Sequence, residues 1–466
     1  MFYQLIVLCC LCVLWRLWSK KRSASEPPEL SGKLPIIGHA YMLVGDEMYK
    51  TMARISEECL AKGGIVTICL GPRKVYAIAD PEDSLTLMNT CLKKHYIYDF
   101  MKPLIGNGLI TADVPTWKQN RKLLNPAFSQ RVLDTFIDIF NTYGRSLVDQ
   151  FSNETGKLID HEHLMRVNSL ERVCFDSNDY SDLLKQYLPR LTKLVKMLHD
   201  RIQKFWLHSD IIFEMTQESK IRNEELKYVH ALSKTVFRTI SGKLKPFIDL
   251  ILDISDETGC YTDEYLREET DTIIAGGHDT TASLLTLTLT ILGSHTYVQD
   301  KAYEEITRVL GNTKMNIQKS DISKLVYIEA ILKETLRLYP GLPVLGRNTE
   351  KDVKLKNYTI KANSDVFLLV YGLHRHNIWG SDVEQFRPER WLDKETLPDL
   401  KYYGGFGMGK RNCIGQIYAM MSMKITIAHI LQNYSISSDV NKMKVQMHTM
   451  IRPESGHYIS LTKRNK

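Results

Sequence analysis

The chain of 466 residues carries 25% charged and 44% hydrophobic side chains, the balance of a globular protein with a large core rather than a disordered or fibrous one. Its net charge of +7 is modest and spread along the chain, so it gives no case for nucleic acid as a partner. Nine dispersed cysteines, without a C-x-x-C pair or zinc-type spacing, suggest free thiols in a reducing compartment.

Residues 1–18 are almost wholly apolar, broken by Gln4 and Arg16. As a helix they rise about 27 Å, close to the thickness of a bilayer core. Trp15 and Trp18 stand where interfacial aromatics belong, and Lys20, Lys21 and Arg22 follow, so an uncleaved transmembrane anchor is predicted with the next domain on the cytoplasmic side. A cleaved signal peptide would carry its basic residues before the apolar run, and none stand there. Residues 19–40 are basic and contain prolines, which predicts a stiff connector. No Gly/Ser tract, charge block or repeat divides the remainder, so 41–466 reads as one integrated domain.

Within it, "IVTICLGPRKVYAIA" predicts a hairpin about a Gly-Pro turn. "PTWKQNRKLLNPAF" predicts a helix from near Pro115 to before Pro126. Phe128 to Leu252 is mostly amphipathic helix in pattern. "TDEYLREETDTIIAGGHDTTASLLTLTLTILGS" opens on a cap and acids, predicting one long buried helix, although "LLTLTLTI" alternates as a strand would. "HTYVQDKAYEEITRVLG" predicts a helix ending at Gly311. "SDISKLVYIEAILKETLRLYPGLP" predicts another, with Leu325, Ile328, Leu332 and Leu336 on one stripe. "DVKLKNYTIKANSDVFLLV" gives short strands, and "QIYAMMSMKITIAHILQNY" a last helix with an apolar face. The expected class is mainly α with a smaller β region.

The chemistry centres on "FGMGKRNCIG". Phe406, Gly409, Arg411, Cys413 and Gly415 form F-x-x-G-x-R-x-C-x-G, a set of five positions that recurs by chance on the order of 10⁻⁴ times in a chain this long. The stretch resembles the haem-ligand loop of the cytochrome P-450 family of haem-thiolate monooxygenases. That resemblance implies the cytochrome P-450 fold, haem b with Cys413 as thiolate ligand to iron, and Arg411 on a haem propionate. Backbone N–H groups of the glycine-rich turn would stabilise the thiolate.

Three further stretches resemble the same family. Glu334 and Arg337 in "ETLR", with Arg390 in "RPERW", are similar to its buried charge triad; by itself E-x-x-R is only an i,i+3 helix pair. Trp391 stands where phenylalanine is usual. "GGHDTTA" places Asp279 and Thr280 as the family's acid–alcohol pair, implied to relay protons and hold water and oxygen; otherwise Thr280 would merely bond back to its own helix. "WKQNRKLLNPAF" puts Trp117 and Arg121 at i,i+4, and the resemblance implies that both reach a propionate, with Arg347 a further candidate. Lys118, Lys122 and Lys410 would suit docking of an acidic electron-donor flavoprotein.

The resemblance spans nearly the whole chain and is nearest to the animal microsomal clan that includes fatty-acid omega-hydroxylases, through "YDFMKPLIGNGLITAD", "GHDTTA", "LHRHNIWG" and "RNCIGQIYA". It implies an endoplasmic reticulum enzyme that takes electrons from NADPH-cytochrome reductase, with cytochrome b5 as a second donor. It would insert one atom of O2 into an apolar small molecule such as a fatty acid, hormone, odorant or xenobiotic. Residues 104–110, Ala275 and Val344 would border that substrate. Gly276 replaces a glutamate that in many members bonds to haem, so non-covalent haem is expected. "YYGGFGMG" has glycines where a lead-in such as "PFSAG" is usual, and 164–246 is shorter than in the family. A haem-thiolate isomerase or dehydratase and an inactive ligand-binding relative stay open.

Overall fold

The computed structural model describes residues 25–45, 47–174, 181–239, 262–311 and 316–464. The expected anchor over 1–18 lies outside them, as do part of the 164–246 region and the end of the helical stretch before Leu252. Among the described residues no helix is long and apolar enough to cross a membrane. The fold is mainly helical with a smaller β portion, as the pattern predicts.

In chain order, helix α1 (Met48–Ala61) leads to strands β1 (Ile65–Leu70) and β2 (Arg73–Ile78), then helix α2 (Pro81–Thr90). Helices α3 (Val114–Leu124) and α4 (Ile137–Ser152), strand β3 (Leu158–Asp160) and helices α5 (Glu162–Cys174), α6 (Ser181–Gln203) and α7 (Gln217–Thr239) follow. Next come α8 (Asp263–Gly277), α9 (Asp279–Ser294), α10 (Thr296–Leu310) and α11 (Val326–Leu338). Strands β4 (Val344–Asn348), β5 (Val353–Lys354), β6 (Thr359–Ile360) and β7 (Asp365–Leu369) precede α12 (Gln416–Asn433). Strands β8 (Tyr434–Ser438), β9 (Lys444–Met447), β10 (Ile451–Ser455) and β11 (Tyr458–Lys463) close the chain.

These elements form two compact units, each gathered from separated stretches. One comprises the residues up to His95, Pro343–Val383 and Pro398–Arg411. Its sheet runs β1-β2-β7-β4, with β2 and β7 parallel and the other pairs antiparallel. Ile65, Ile78, Leu87, Leu345, Val366, Leu368 and Met408 are among its buried core. The proline-containing connector is part of this unit: Thr67 donates its N–H to Pro28 O at 2.7 Å, and His39 donates to Cys69 O at 2.6 Å, so the segment runs beside β1. The predicted hairpin is β1–β2, turning at Gly71 and Pro72.

The other unit comprises Tyr96–Leu342, Glu384–Leu397 and Asn412–Lys466. It holds α3 to α12 and the sheet β3-β11-β8. Leu104, Ile105, Leu170, Leu188, Leu191, Val229 and Ile274 are part of its buried core. The alternating "LLTLTLTI" is helix, as its length favours: Thr286, Thr288 and Thr290 each return the hydroxyl to the carbonyl four residues back, at 2.8, 2.7 and 2.9 Å. Their polarity is thereby satisfied with no exposure.

Three expectations are corrected in detail. The long helix over 262–294 is broken at His278 into α8 and α9. The stretch before Pro340 is two helices, Lys319–Ile322 and α11, because Glu305 on α10 accepts the N–H groups of Val326, Tyr327 and Ile328 at 2.9, 2.8 and 3.1 Å and so creates a new N-terminus. The final helix α12 is buried on all sides rather than on one face: Met421 to Leu431 are all buried, Ser422, Lys424, Thr426 and His429 among them.

Candidate active site

Helix α3 begins where the sequence places it, because Asp113 accepts the N–H of Thr116 at 3.0 Å and Pro115 lies in the first turn. Trp117 is 7% exposed. One turn on, Arg121 donates from Nη1 to Asn412 O at 2.7 Å, from Nη2 to Asn412 Oδ1 at 3.2 Å, and from Nε to Asn125 at 3.0 Å. This guanidinium therefore holds the residue directly before Cys413.

Cys413 is an exposed residue, but its thiol sits in an enclosed setting, and burial pushes it up from its ordinary range. The N–H of Gly415 and the charge of Arg121 pull the other way. A backbone donor and a nearby cation are features wanted around a thiolate ligand. Cys59, Cys69 and Cys91 are buried thiols, and the first is pushed up to about 12 by burial.

In the first unit, the loop carrying Phe406 and Arg411 is fixed by glycine geometry. Gly404 donates to His374 Nε2 at 2.9 Å, and Gly407 donates to Gly404 O at 2.9 Å. Gly409 has φ +67°, and a Cβ there would stand 2.6 Å from the Met88 carbonyl oxygen, so no other residue fits. The irregular glycines of this stretch thus serve a tight turn. Arg347 lies on β4 opposite Lys94, an isolated bridge partner, and donates to Gly346 O at 2.9 Å. Burial, together with Arg347 and then Arg411, pulls the Lys94 ammonium well below the usual lysine range. A carboxylate bound beside Lys94 and these two arginines would restore the ammonium's charge, which suits groups such as haem propionates. Lys94 carries no sequence motif and is a residue that sequence reasoning missed.

At the break between α8 and α9, Thr280 donates its hydroxyl to Gly276 O at 2.7 Å. Asp279 turns elsewhere: Arg452 on β10 donates to it at 2.5 Å, and Arg166 on α5 lies 3.6 Å away. The two neighbours in sequence therefore have separate partners. Neither arginine was legible, being distant in the chain and outside any recognised pattern. His278 is fully buried, and burial brings its imidazole down to about 4. A Cβ on Gly276 would meet only Ile110, at 3.7 Å, so helix-surface space is open there.

The expected charge network assembles. Arg337 forks onto Glu334 at 2.8 and 2.9 Å, Arg390 approaches it at 3.4 Å, and all three are at most 2% exposed. Trp391 adds its indole N–H to Glu334 at 3.0 Å, a bond that phenylalanine cannot make. Lys118, Lys122 and Lys410 are exposed.

The Cytochrome P450 family model matches residues 27–461. Cytochrome P450 4V2 of Mus musculus is 27% identical over 97% of this chain and 92% of its own length. Cytochrome P450 4c3 of Drosophila melanogaster is 26% identical over 93% of this chain and 88% of its own. Probable cytochrome P450 4s3 of the same fly is 29% identical over 81% of each.

Proposed function

This chain belongs to the cytochrome P450 family and is a haem-thiolate monooxygenase using haem b, and from that premise we propose Cys413 as its thiolate and an apolar small molecule as its substrate. Haem with a thiolate ligand supplies dioxygen activation, the sulfur pushing electron density toward O–O cleavage. The protein's part is to stabilise, orient and exclude. The N–H of Gly415 and Arg121 stabilise negative charge on Cys413, and the bonds from Arg121 to Asn412 fix the backbone beside it. By the family resemblance Trp117, Arg121, Arg347 and Arg411 would offer N–H donors to propionates. Phe406 and Gly415 belong to the loop that shapes the ligand's surroundings.

Thr280 Oγ1 holds a proton where α8 meets α9, bonded to Gly276 O, and the family resemblance would make Asp279 its proton relay once the carboxylate swings away from Arg452. Gly276 has no group able to bond to haem, so the haem is non-covalent. Residues 104–110, Ala275 and Val344 border the substrate, which is a fatty acid, hormone, odorant or xenobiotic. Electrons come from NADPH through a reductase, with cytochrome b5 as a second donor, and exposed lysines including Lys118, Lys122 and Lys410 favour an acidic partner. Residues 1–18 anchor a 41–466 catalytic domain to the cytoplasmic side of the endoplasmic reticulum, with 19–40 as connector.

The observation that carries this reading is the setting of Cys413. The test is the carbon monoxide difference spectrum of the reduced, membrane-expressed protein. The wild type should show the red-shifted Soret band of thiolate ligation, and Cys413→Ala should abolish it. A wild-type protein lacking that band, or an alanine variant retaining it, would remove Cys413 from the iron.

A further inference from the structure

Glu269 on α8 has no role in the reading above, yet it is fully buried. One carboxylate oxygen accepts the backbone N–H of Leu109 at 3.1 Å, and the other accepts the amide of Asn120 on α3 at 2.6 Å. Asn120 directly precedes Arg121, which grips Asn412. The loop between these points is pressed onto the same helix at every step. Gly106, at φ +57°, and Gly108 lie so close that a Cβ would stand 2.1 Å from Glu268 and 2.0 Å from Thr272. Thr272 donates to Ile105 O at 3.4 Å, and Thr111 donates to Gly106 O at 2.6 Å. His230 on α7 meets Leu104 O at 3.0 Å. A buried carboxylate is costly, and this one holds two partners, the Leu109 N–H and the Asn120 amide.

We propose that Glu269 is a positioning residue that ties loop 105–112 and helix α3 to α8, and thereby sets how an extended apolar ligand passes the loop. This rests on the reading that residues 104–110 border the substrate of a haem held by Cys413. Losing Glu269 leaves the Leu109 N–H and the Asn120 amide without their acceptor, and both the loop and the helix that bears Trp117 and Arg121 gain freedom. Glu269→Gln retains one acceptor and places a donor against a donor, so it recovers part of the function.

Full-length protein in membranes, loaded with haem, is the material for the test. Hydrogen exchange of the 105–112 amides should quicken about tenfold or more in Glu269→Ala, as expected for loss of a charge-assisted bond, while 281–294 keeps its protection. A series of 1-alkylimidazoles of rising chain length, followed by the Soret shift, gives the second readout. In the wild type affinity should climb with chain length; in the alanine variant the climb should flatten, with glutamine between. Asn120→Ala removes only the α3 connection, so exchange in α3 should quicken while the loop stays as in the wild type; should Glu269→Ala fail to fold, wild-type exchange in α3 of this variant would overturn the tie. Wild-type exchange and chain-length dependence in both Glu269 variants would overturn it, and so would loosening of 281–294 in step with the loop. Absence of the thiolate band in wild-type protein would instead strike the function reading, and the exchange result would stand apart from it.

Discussion

Trp391 illustrates what one side chain does that its motif does not state. In the sequence it is only a departure from phenylalanine. In the fold its indole N–H is a donor to Glu334, which sits at zero exposure with Arg337, Arg390 and the Arg387 N–H around it. Trp391→Phe should cost about 1–3 kcal/mol, the loss expected when a bond to a buried carboxylate is withdrawn. Urea unfolding measures it, and an unchanged midpoint would show that the indole contributes packing alone. The partners lie 57 positions apart, so no local pattern could have announced the bond. Cys413 and Arg411 could be proposed from sequence because loop, cysteine and cation are contiguous in it. Lys94 and Arg452 were not, since each acts through a neighbour distant along the chain.

At the level of elements, periodicity was a sound guide to faces and a poor one to ends. Leu325, Ile328, Leu332 and Leu336 do form a buried stripe. The start of α11 came from elsewhere, from the carboxylate of Glu305 on α10. Removing it in Glu305→Ala leaves three backbone donors at a helix N-terminus without their acceptor and should destabilise the fold by about 2–3 kcal/mol. Because α11 bears Glu334 and Arg337, haem retention during mild heating should fall with it. A urea midpoint matching the wild type would show that water replaces the carboxylate without loss. The break between α8 and α9 was half legible: two glycines predict weakness in a helix, but not that the interruption falls at His278, beside the bonds from Thr280 to Gly276 and from Arg452 to Asp279.

Across the molecule, buried titratable groups give stability a pH dependence of definite sign. Burial holds His161, His278 and His429 down to about 4. An unfolded histidine takes up its proton near pH 6.5, so acidification from there to 4 favours the unfolded chain, by up to roughly 3 kcal/mol for each histidine. Glu269 works in the opposite direction, since burial raises it to about 7 and its contribution is lost as pH climbs from the ordinary glutamate range to that value. The urea midpoint should therefore drop between pH 6.5 and 4, and Glu269→Gln should steepen the drop. A midpoint flat across that interval in both proteins would refute the assignment.

The sheet β1-β2-β7-β4 has a consequence for how the polypeptide is made. Strands β1 and β2 leave the ribosome early, but β7, which pairs with β2, follows nearly 300 residues later. At ordinary elongation rates that is a delay of roughly a quarter of a minute to a minute. Throughout it the nascent hairpin has an unfilled edge, and the helices of the other unit emerge while it waits. The sheet can therefore close only after most of the chain has been made, and until then its first hairpin is marginally stable.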